Sequence, residues 1–279
     1  FNDDGSVVPL FNFFEYEGIK YSSAPDVTVY GFRDRCLAVW QIVPQVIPII
    51  ELTVIDNIAS INYNQLKVYI SGLSQWLKAY DKQCLFIIGG EFNFPANMDG
   101  WGRVQDINGN WITKKVKPED YNRAMRLARQ VIDTEHIDNV FLATHANILD
   151  IIYVNSEWIR QDWLSEFRGL EEYYEGMREA HVLGFTFYYD LPDLNMAWGR
   201  VRVIRDAVGG EKPVISIEYA NKIWWEPYPT CTSEFVDESY NQFQQYEFVK
   251  GISWSLWPIY CDSDAFAAIA KNAEIWEGK

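Results

Sequence analysis

The chain has 279 residues, with 24 Lys+Arg against 39 Asp+Glu and a formal net charge of -15. So acidic a protein lacks the cationic surplus that nucleic acids and anionic membrane surfaces demand, so neither is expected as a partner. Hydrophobic residues at 48 % and formal charges at 23 % exclude a disordered chain and leave ample material for one large core, so a single domain over residues 1–279 is expected.

Apolar runs of strand length recur along the chain at Val8–Phe14, Val46–Thr53, Cys84–Gly90, Asn139–Thr144, Val182–Tyr189, Val214–Tyr219 and Gly251–Trp257. Near-continuous apolar runs suit strands buried on both faces, which is how parallel sheets are built. None approaches the roughly 18 apolar residues of a membrane span. Helical patterns lie between them. Tyr63–Lys82 places Leu66, Tyr69, Leu73, Trp76 and Leu77 at helical spacing. A second helix is expected to start at Pro118-Glu119-Asp120, with proline in the first turn and acids beside the N-terminus. Met196–Val208 and Ser263–Glu277 read as two more. Strand and helix alternating at this spacing imply right-handed βαβ crossovers and a (β/α)8 TIM-type barrel. Seven strong strands leave one to find. Either the weak run Val27–Tyr30 supplies it, or the first strand is atypical and lies before Phe1, and the second is favoured. A doubly wound open sheet has no Gly-rich phosphate loop to support it.

Cysteine and histidine usage is sparse. Cys36, Cys84, Cys231 and Cys261 form no Cys-x-x-Cys pair, and His136, His145 and His181 are scattered, so no metal site and no cofactor are expected. Four buried thiols, or a disulfide between Cys231 and Cys261, are both open. Ser74 and Ser253 sit in no nucleophile elbow. The aromatic content is high, with 12 Trp, 17 Tyr and 16 Phe. Such residues fill cores, and they also supply rigid platforms on which sugar rings stack.

Two acids stand out by position. Glu91 follows an apolar strand and two glycines, and Glu218 ends the run Pro213–Ile217. Each is expected at the C-terminal end of a strand, where a parallel barrel keeps its catalytic groups. Two carboxylates at one cleft are the minimum equipment for glycoside hydrolysis: one protonates the leaving oxygen and the other attacks. A pair of salt-bridged strand-end acids is the alternative. Glu15 and Glu51 end earlier strands and are expected in structural salt bridges. His145 and Asn147 close the fifth strand, with His145 a weaker candidate for a sugar subsite, and Asp190 is a candidate loop cap.

Several motifs point the same way. Gly89-Gly90-Glu91-Phe92-Asn93, followed by Trp101-Gly102, resembles the acid/base motif of glycoside hydrolase family 26. Lys212-Pro213-Val214-Ile215-Ser216-Ile217-Glu218 resembles that family's nucleophile strand. Gly184-Phe185-Thr186-Phe187-Tyr188 is similar to its sixth strand, and Tyr121–Asn147 to the segment between its fourth and fifth strands. Trp254-Ser255-Leu256 resembles the eighth-strand Trp of the wider retaining clan A. The resemblance runs from Val8 to Trp257 as scattered motifs. It departs at Gly90, where the family has His, and at the inserted stretch Phe94–Gly100.

The resemblance implies roles. The clan's acid/base and nucleophile lie on strands four and seven, and three strand steps separate Glu91 from Glu218, which would make Val8–Phe14 strand two. Glu91 would be the general acid/base, keeping its proton through burial or the nearby charge of Glu218, and Glu218 the nucleophile. Retention of configuration asks for carboxyl groups about 5–5.5 Å apart. Tyr188 would hold the nucleophile, Trp254 would floor a sugar subsite, and Asn93 would contact a sugar hydroxyl. Trp101, Trp224 and Trp225 would line further subsites, with Trp111, Trp158 and Trp198 weaker candidates. The implied function is cleavage of a β-linked polysaccharide, β-mannan first and then β-glucan or xylan, outside the cell because the substrate is a polymer. A non-catalytic carbohydrate-binding barrel is the rival. A lyase or aldolase would want a strand-end Lys or a metal cluster, and the sequence offers neither.

Overall fold

The computed structural model describes residues 10–15, 32–42, 44, 46–52, 58–93, 103–105, 111–113, 116–148, 151–154, 157–160, 170–188, 194–220, 232–254, 264–265, 267–269 and 271–272. Those within Pro9–Ala146 and Asp150–Val182 form one compact unit. Those within Asn147–Leu149 and Leu183–Lys279 form a second.

The first unit opens with strand β1 (Leu10–Glu15), helix α1 (Phe32–Ile42), strand β2 (Ile47–Leu52), a short 3-10 turn (Ile58–Ser60), helix α2 (Tyr63–Lys78) and strand β3 (Cys84–Ile88). A hairpin of β4 (Arg103–Gln105) and β5 (Trp111–Thr113) follows, then helix α3 (Pro118–Thr134) and strand β6 (Val140–Ala143). After the two-residue β7 (Ala146–Asn147), a second hairpin pairs β8 (Ile151–Val154) with β9 (Glu157–Arg160), and helix α4 (Tyr174–Glu179) ends the unit. Strands β1, β2, β3 and β6 form one sheet in that order, all parallel. Its interior is aliphatic and aromatic, with Ile49, Ile50, Phe86, Ile87, Leu142 and Ala143 removed from water. Helix α2 buries Leu66, Ile70, Leu73 and Leu77, one stripe at helical spacing. It starts with a capping box: Asn62 accepts from the Gln65 N–H at 3.1 Å, and Gln65 accepts from the Asn62 N–H at 3.1 Å. The Ser74 hydroxyl donates to Asn139 Oδ1 at 2.6 Å and so ties α2 to the start of β6.

The second unit runs through β10 (Leu183–Tyr188), helix α5 (Leu194–Val208), β11 (Val214–Ala220), helix α6 (Ser233–Phe243) and β12 (Val249–Trp254). Strands β10, β11 and β12 are parallel neighbours. Trp198 of α5 is fully buried and stacks on Phe187 of β10 with ring centroids 4.2 Å apart. On the β11 side, the Tyr219 hydroxyl donates to Ser239 Oγ of α6 at 2.9 Å, and Ser239 donates to the Phe235 carbonyl at 2.6 Å.

All seven expected strands are present, with shifted ends. β3 stops at Ile88, short of Gly90, because the backbone turns at Gly89 with φ of +69°. The last strand starts at Val249, two residues earlier than expected, and ends at Trp254. α2 ends at Lys78, α3 starts at Pro118 as expected, and helical backbone recurs at 264–265, 267–269 and 271–272. α1, α4, α6 and both hairpins were not expected. Val27–Tyr30, Cys231 and Cys261 lie outside the described residues.

Cys36 and Cys84 are buried thiols in the core, neither in a disulfide. Burial pushes the Cys84 thiol well above its ordinary range, and Cys36 adds to the effect. Little thiolate therefore exists at pH 8 to react. Iodoacetamide at that pH should leave the Cys36 and Cys84 peptides unlabelled in the native protein and label both in urea, as read by peptide mass spectrometry. Native-state labelling at rates typical of a free thiol would contradict this packing.

Candidate active site

In the first unit, the candidate acid is placed by the way the chain leaves β3. Gly89 adopts a left-handed backbone that only glycine takes without cost, and its N–H donates to the Leu52 carbonyl at 3.0 Å. The turn is thereby pinned to the end of β2. Glu91 is also left-handed, with φ of +46°. For a residue with a side chain, that conformation stores roughly 1–3 kcal/mol and persists only where the surroundings impose it.

Phe92 does much of the imposing. It is fully buried and stacks on Tyr121 of α3 at 3.8 Å between ring centroids, with Tyr173 at 5.0 Å. The Tyr173 hydroxyl donates to the Val116 carbonyl at 2.6 Å, which fixes the far side of the cluster. Burial raises the Tyr121 hydroxyl well above its usual range and raises that of Tyr173 too, so both rings stay neutral. With Phe92 anchored inward, Glu91 and Asn93 on either side of it remain half-buried. Beneath the turn, Ile58 lies 3.7 Å from where a Gly89 Cβ would be. Arg123 of α3 holds that segment by donating to the Ile61 carbonyl at 3.1 Å and the Ile58 carbonyl at 3.3 Å.

Behind the turn is a buried ionisable pair. Glu51 of β2 is 2 % exposed and His145, just past β6, is 1 % exposed. Their Oε2 and Nδ1 atoms are 2.7 Å apart and share a hydrogen bond. Glu51, expected in a structural salt bridge, has a histidine 94 residues away as its hydrogen-bond partner. His145 is spent on this contact inside the fold, and the sequence had offered it as a subsite residue. The carboxylate also lies against Gly90: a Cβ there would fall inside Glu51 Oε1 and Cδ and within 2.6 Å of Oε2. This is a physical reason for glycine before Glu91.

In the second unit, Glu218 sits near the C-terminal end of β11, half-buried between the buried Ile217 and Tyr219. The ladder is irregular at this point. Phe185 and Thr186 of β10 are consecutive, yet they pair with Ser216 and Glu218. On the other side, Ser216 pairs with Ile252 and Tyr219 with Trp254. Between Ser216 and Tyr219, β11 thus carries one residue more than the facing stretch of either neighbour, a β-bulge of the kind that re-aims a side chain. The Ser216 hydroxyl donates to the Glu218 carbonyl at 3.0 Å within the bulge.

The other expected residues are distributed as follows. Tyr188 ends β10 and Trp254 ends β12, each described by its backbone alone. Trp111 and Trp158 lie in the hairpin strands β5 and β9. Trp198 is core of α5, not a loop residue. Glu15 ends β1, and Asn147 is buried in β7. Trp101, Trp224, Trp225, Asp190 and Phe94–Gly100 lie outside the described residues. Among the described residues there is no group of three or more His, Cys, Asp or Glu that could hold a metal ion, and no helix long and apolar enough to cross a membrane.

Parallel strands alternating with helices, and acids at their C-terminal ends, define the class: the fold is that of (β/α)8 barrels. Among solved structures, the chain is similar to the family 26 β-mannanase of Bacteroides ovatus, with a TM-score of 0.55 and 15 % identity over 98 % of this chain and 79 % of that one. It is similar to a Bacillus subtilis mannanase at 0.52 and 14 %, over 96 % of this chain and 86 % of that one. A putative α-L-fucosidase from Bacteroides thetaiotaomicron matches at 0.54 and 9 %, over 98 % and 95 %. No protein-family model matches the chain, and no curated protein matches it in sequence.

Because Glu91 carries left-handed strain, Glu91→Gly should stabilise the fold by about 1 kcal/mol. Urea unfolding monitored by tryptophan fluorescence measures it. A destabilised Glu91→Gly variant would mean that the turn depends on the Glu91 side chain.

Proposed function

We propose that the chain is a retaining glycoside hydrolase that cleaves a β-linked polysaccharide, with Glu91 as general acid/base and Glu218 as nucleophile. The observation that carries this reading is the placement of the two acids. Each lies at the C-terminal end of a parallel strand, at a backbone irregularity that aims it, in a chain whose fold is shared with glycosidases. β-Mannan is the substrate of first choice, because two of the similar structures are mannanases, one of them a β-mannanase. β-Glucan and xylan come next. A polymeric substrate places the activity outside the cell.

The chemistry balances with two carboxyl groups and one water. The Glu218 carboxylate attacks the anomeric carbon while the glycosidic C–O bond breaks, and Glu91 gives its proton to the departing oxygen. A glycosyl ester on Glu218 results. Water then gives a proton to the Glu91 carboxylate and attacks the same carbon, releasing Glu218 and restoring the acid. Two inversions leave the configuration unchanged. Asn93, two residues from the acid, is a candidate contact for a sugar hydroxyl. Tyr188, Trp101, Trp224, Trp225 and Trp254 are assigned to positioning the nucleophile and stacking sugar rings.

Reducing-sugar release from mannan, glucomannan, mixed-linkage glucan, cellulose and xylan tests the reading. Activity on one polymer should fall about 10²–10⁴-fold in Glu91→Ala and further in Glu218→Ala. With an activated aryl β-glycoside, azide should rescue Glu91→Ala to give the β-glycosyl azide and rescue Glu218→Ala to give the α-anomer. Wild-type turnover in either variant would remove that residue from its role. Sugar binding without release by the wild type would favour the non-catalytic barrel.

A further inference from the structure

The Glu51–His145 pair is a buried ionisable pair that the proposed mechanism does not use. Burying a carboxyl group and an imidazole costs desolvation that their contact offsets only in part, so the pair is a weak source of stability. The Glu51 carboxylate stands against the Cα of Gly90, the residue that joins the pinned Gly89 to the strained Glu91. The other side of the same turn is held by Phe92 against Tyr121 and Tyr173. The turn is therefore gripped from both sides, by an aromatic stack and by a carboxylate. That carboxylate is itself held in place by the His145 imidazole at 2.7 Å.

We propose that Glu51, clamped by His145, is a positioning residue for Glu91: its carboxylate occupies the space that a side chain at position 90 would need and fixes the turn that carries the acid. This rests on the reading of Glu91 as acid/base given above. Glu51 acts through the backbone of Gly90, and no contact with substrate is assigned to it. His145 acts at one further remove, by keeping the carboxylate from swinging away.

The test has two independent readouts. The first is thermal unfolding of Gly90→Ala, Glu51→Ala and the double variant. In the parent, the new methyl group collides with the clamped carboxylate and the midpoint should drop by several degrees. In the Glu51→Ala background the same substitution should be almost silent. Additive shifts would overturn the steric claim. The second is kcat/KM on aryl β-glycosides of graded leaving groups, since only poor leaving groups need the proton from Glu91. Glu51→Ala and His145→Ala should each lose about 100-fold on the phenyl glycoside, the usual cost of an ångström-scale misplacement, and about tenfold or less on the dinitrophenyl glycoside. Glu51→Gln fills the same volume and keeps a hydrogen-bonding partner for His145, so it should retain most of the activity. Equal losses on both leaving groups, or a Gln variant as damaged as the Ala variant, would overturn the proposal. If the wild type turns over no glycoside or polymer, the hydrolase reading fails on its own, and the unfolding cycle alone decides whether Glu51 fixes the turn.

Discussion

A strand buried on both faces can hold no ionised group along its length unless a partner is buried with it, and this constraint governs where the chain keeps its acids. β3 is apolar from Cys84 to Ile88 and reaches an acid only after two glycines have carried the chain out of the sheet. β11 reaches Glu218 only where a bulge breaks the alternation of its side chains. β2 carries an acid within its length at Glu51, and there the partner is supplied by His145 from beyond β6. The same desolvation physics therefore yields two half-buried acids at strand ends and one fully buried pair behind the first of them.

The two candidate carboxylates are aimed by different means. For Glu91 the device is a strained turn clamped by neighbours that lie far away in sequence: Phe92 against α3, and Glu51 with His145 against Gly90. For Glu218 it is an extra residue in a ladder, held by Ser216 and by the packing of Tyr219 against Ser239 and Phe235. Neither device is a loop that must find its place on binding. Both are consequences of how a strand ends or kinks, which is why sites on rigid elements hold their geometry better than sites on loops.

The strands were legible because each is a near-continuous apolar run, and α2 and α3 because their apolar stripes are periodic and their starts are capped. Strand ends were less so: the stop at Ile88 depends on Gly89 turning left-handed, and a glycine in sequence does not declare its φ. α1 and α6 carried a usable signal, Cys36 and Trp40 in one and Phe235, Val236, Tyr240 and Phe243 in the other, all buried at helical spacing. It was obscured by flanking aromatic and polar residues. Asn108-Gly109 announces a hairpin between β4 and β5, though strands of three residues are too short to show alternation. Glu91 and Glu218 stood out in the sequence because each follows an apolar run of strand length. The pairing of Glu51 with His145 had no local signal, since it depends on which strands become neighbours. Gly90 was visible as a departure from the family 26 pattern, and only the structure supplies its cause. Much of the aromatic wealth that suggested sugar platforms is core, as Trp40, Phe92, Tyr121, Tyr173, Trp198 and Tyr219 demonstrate.

The bulge on β11 gives the two acids unequal prospects over generations. Deleting one residue between Ser216 and Tyr219 would even the register with β10, but it would bring Tyr219 into the place of Glu218 and pull its ring and hydroxyl away from α6. The aim of Glu218 is thus insured by the core: a lineage cannot discard it by a small shift without losing a helix contact. Position 91 has a left-handed backbone that glycine and asparagine accept more readily than glutamate does. Under relaxed selection, substitutions to such residues should collect at 91 while the frame around 218 persists.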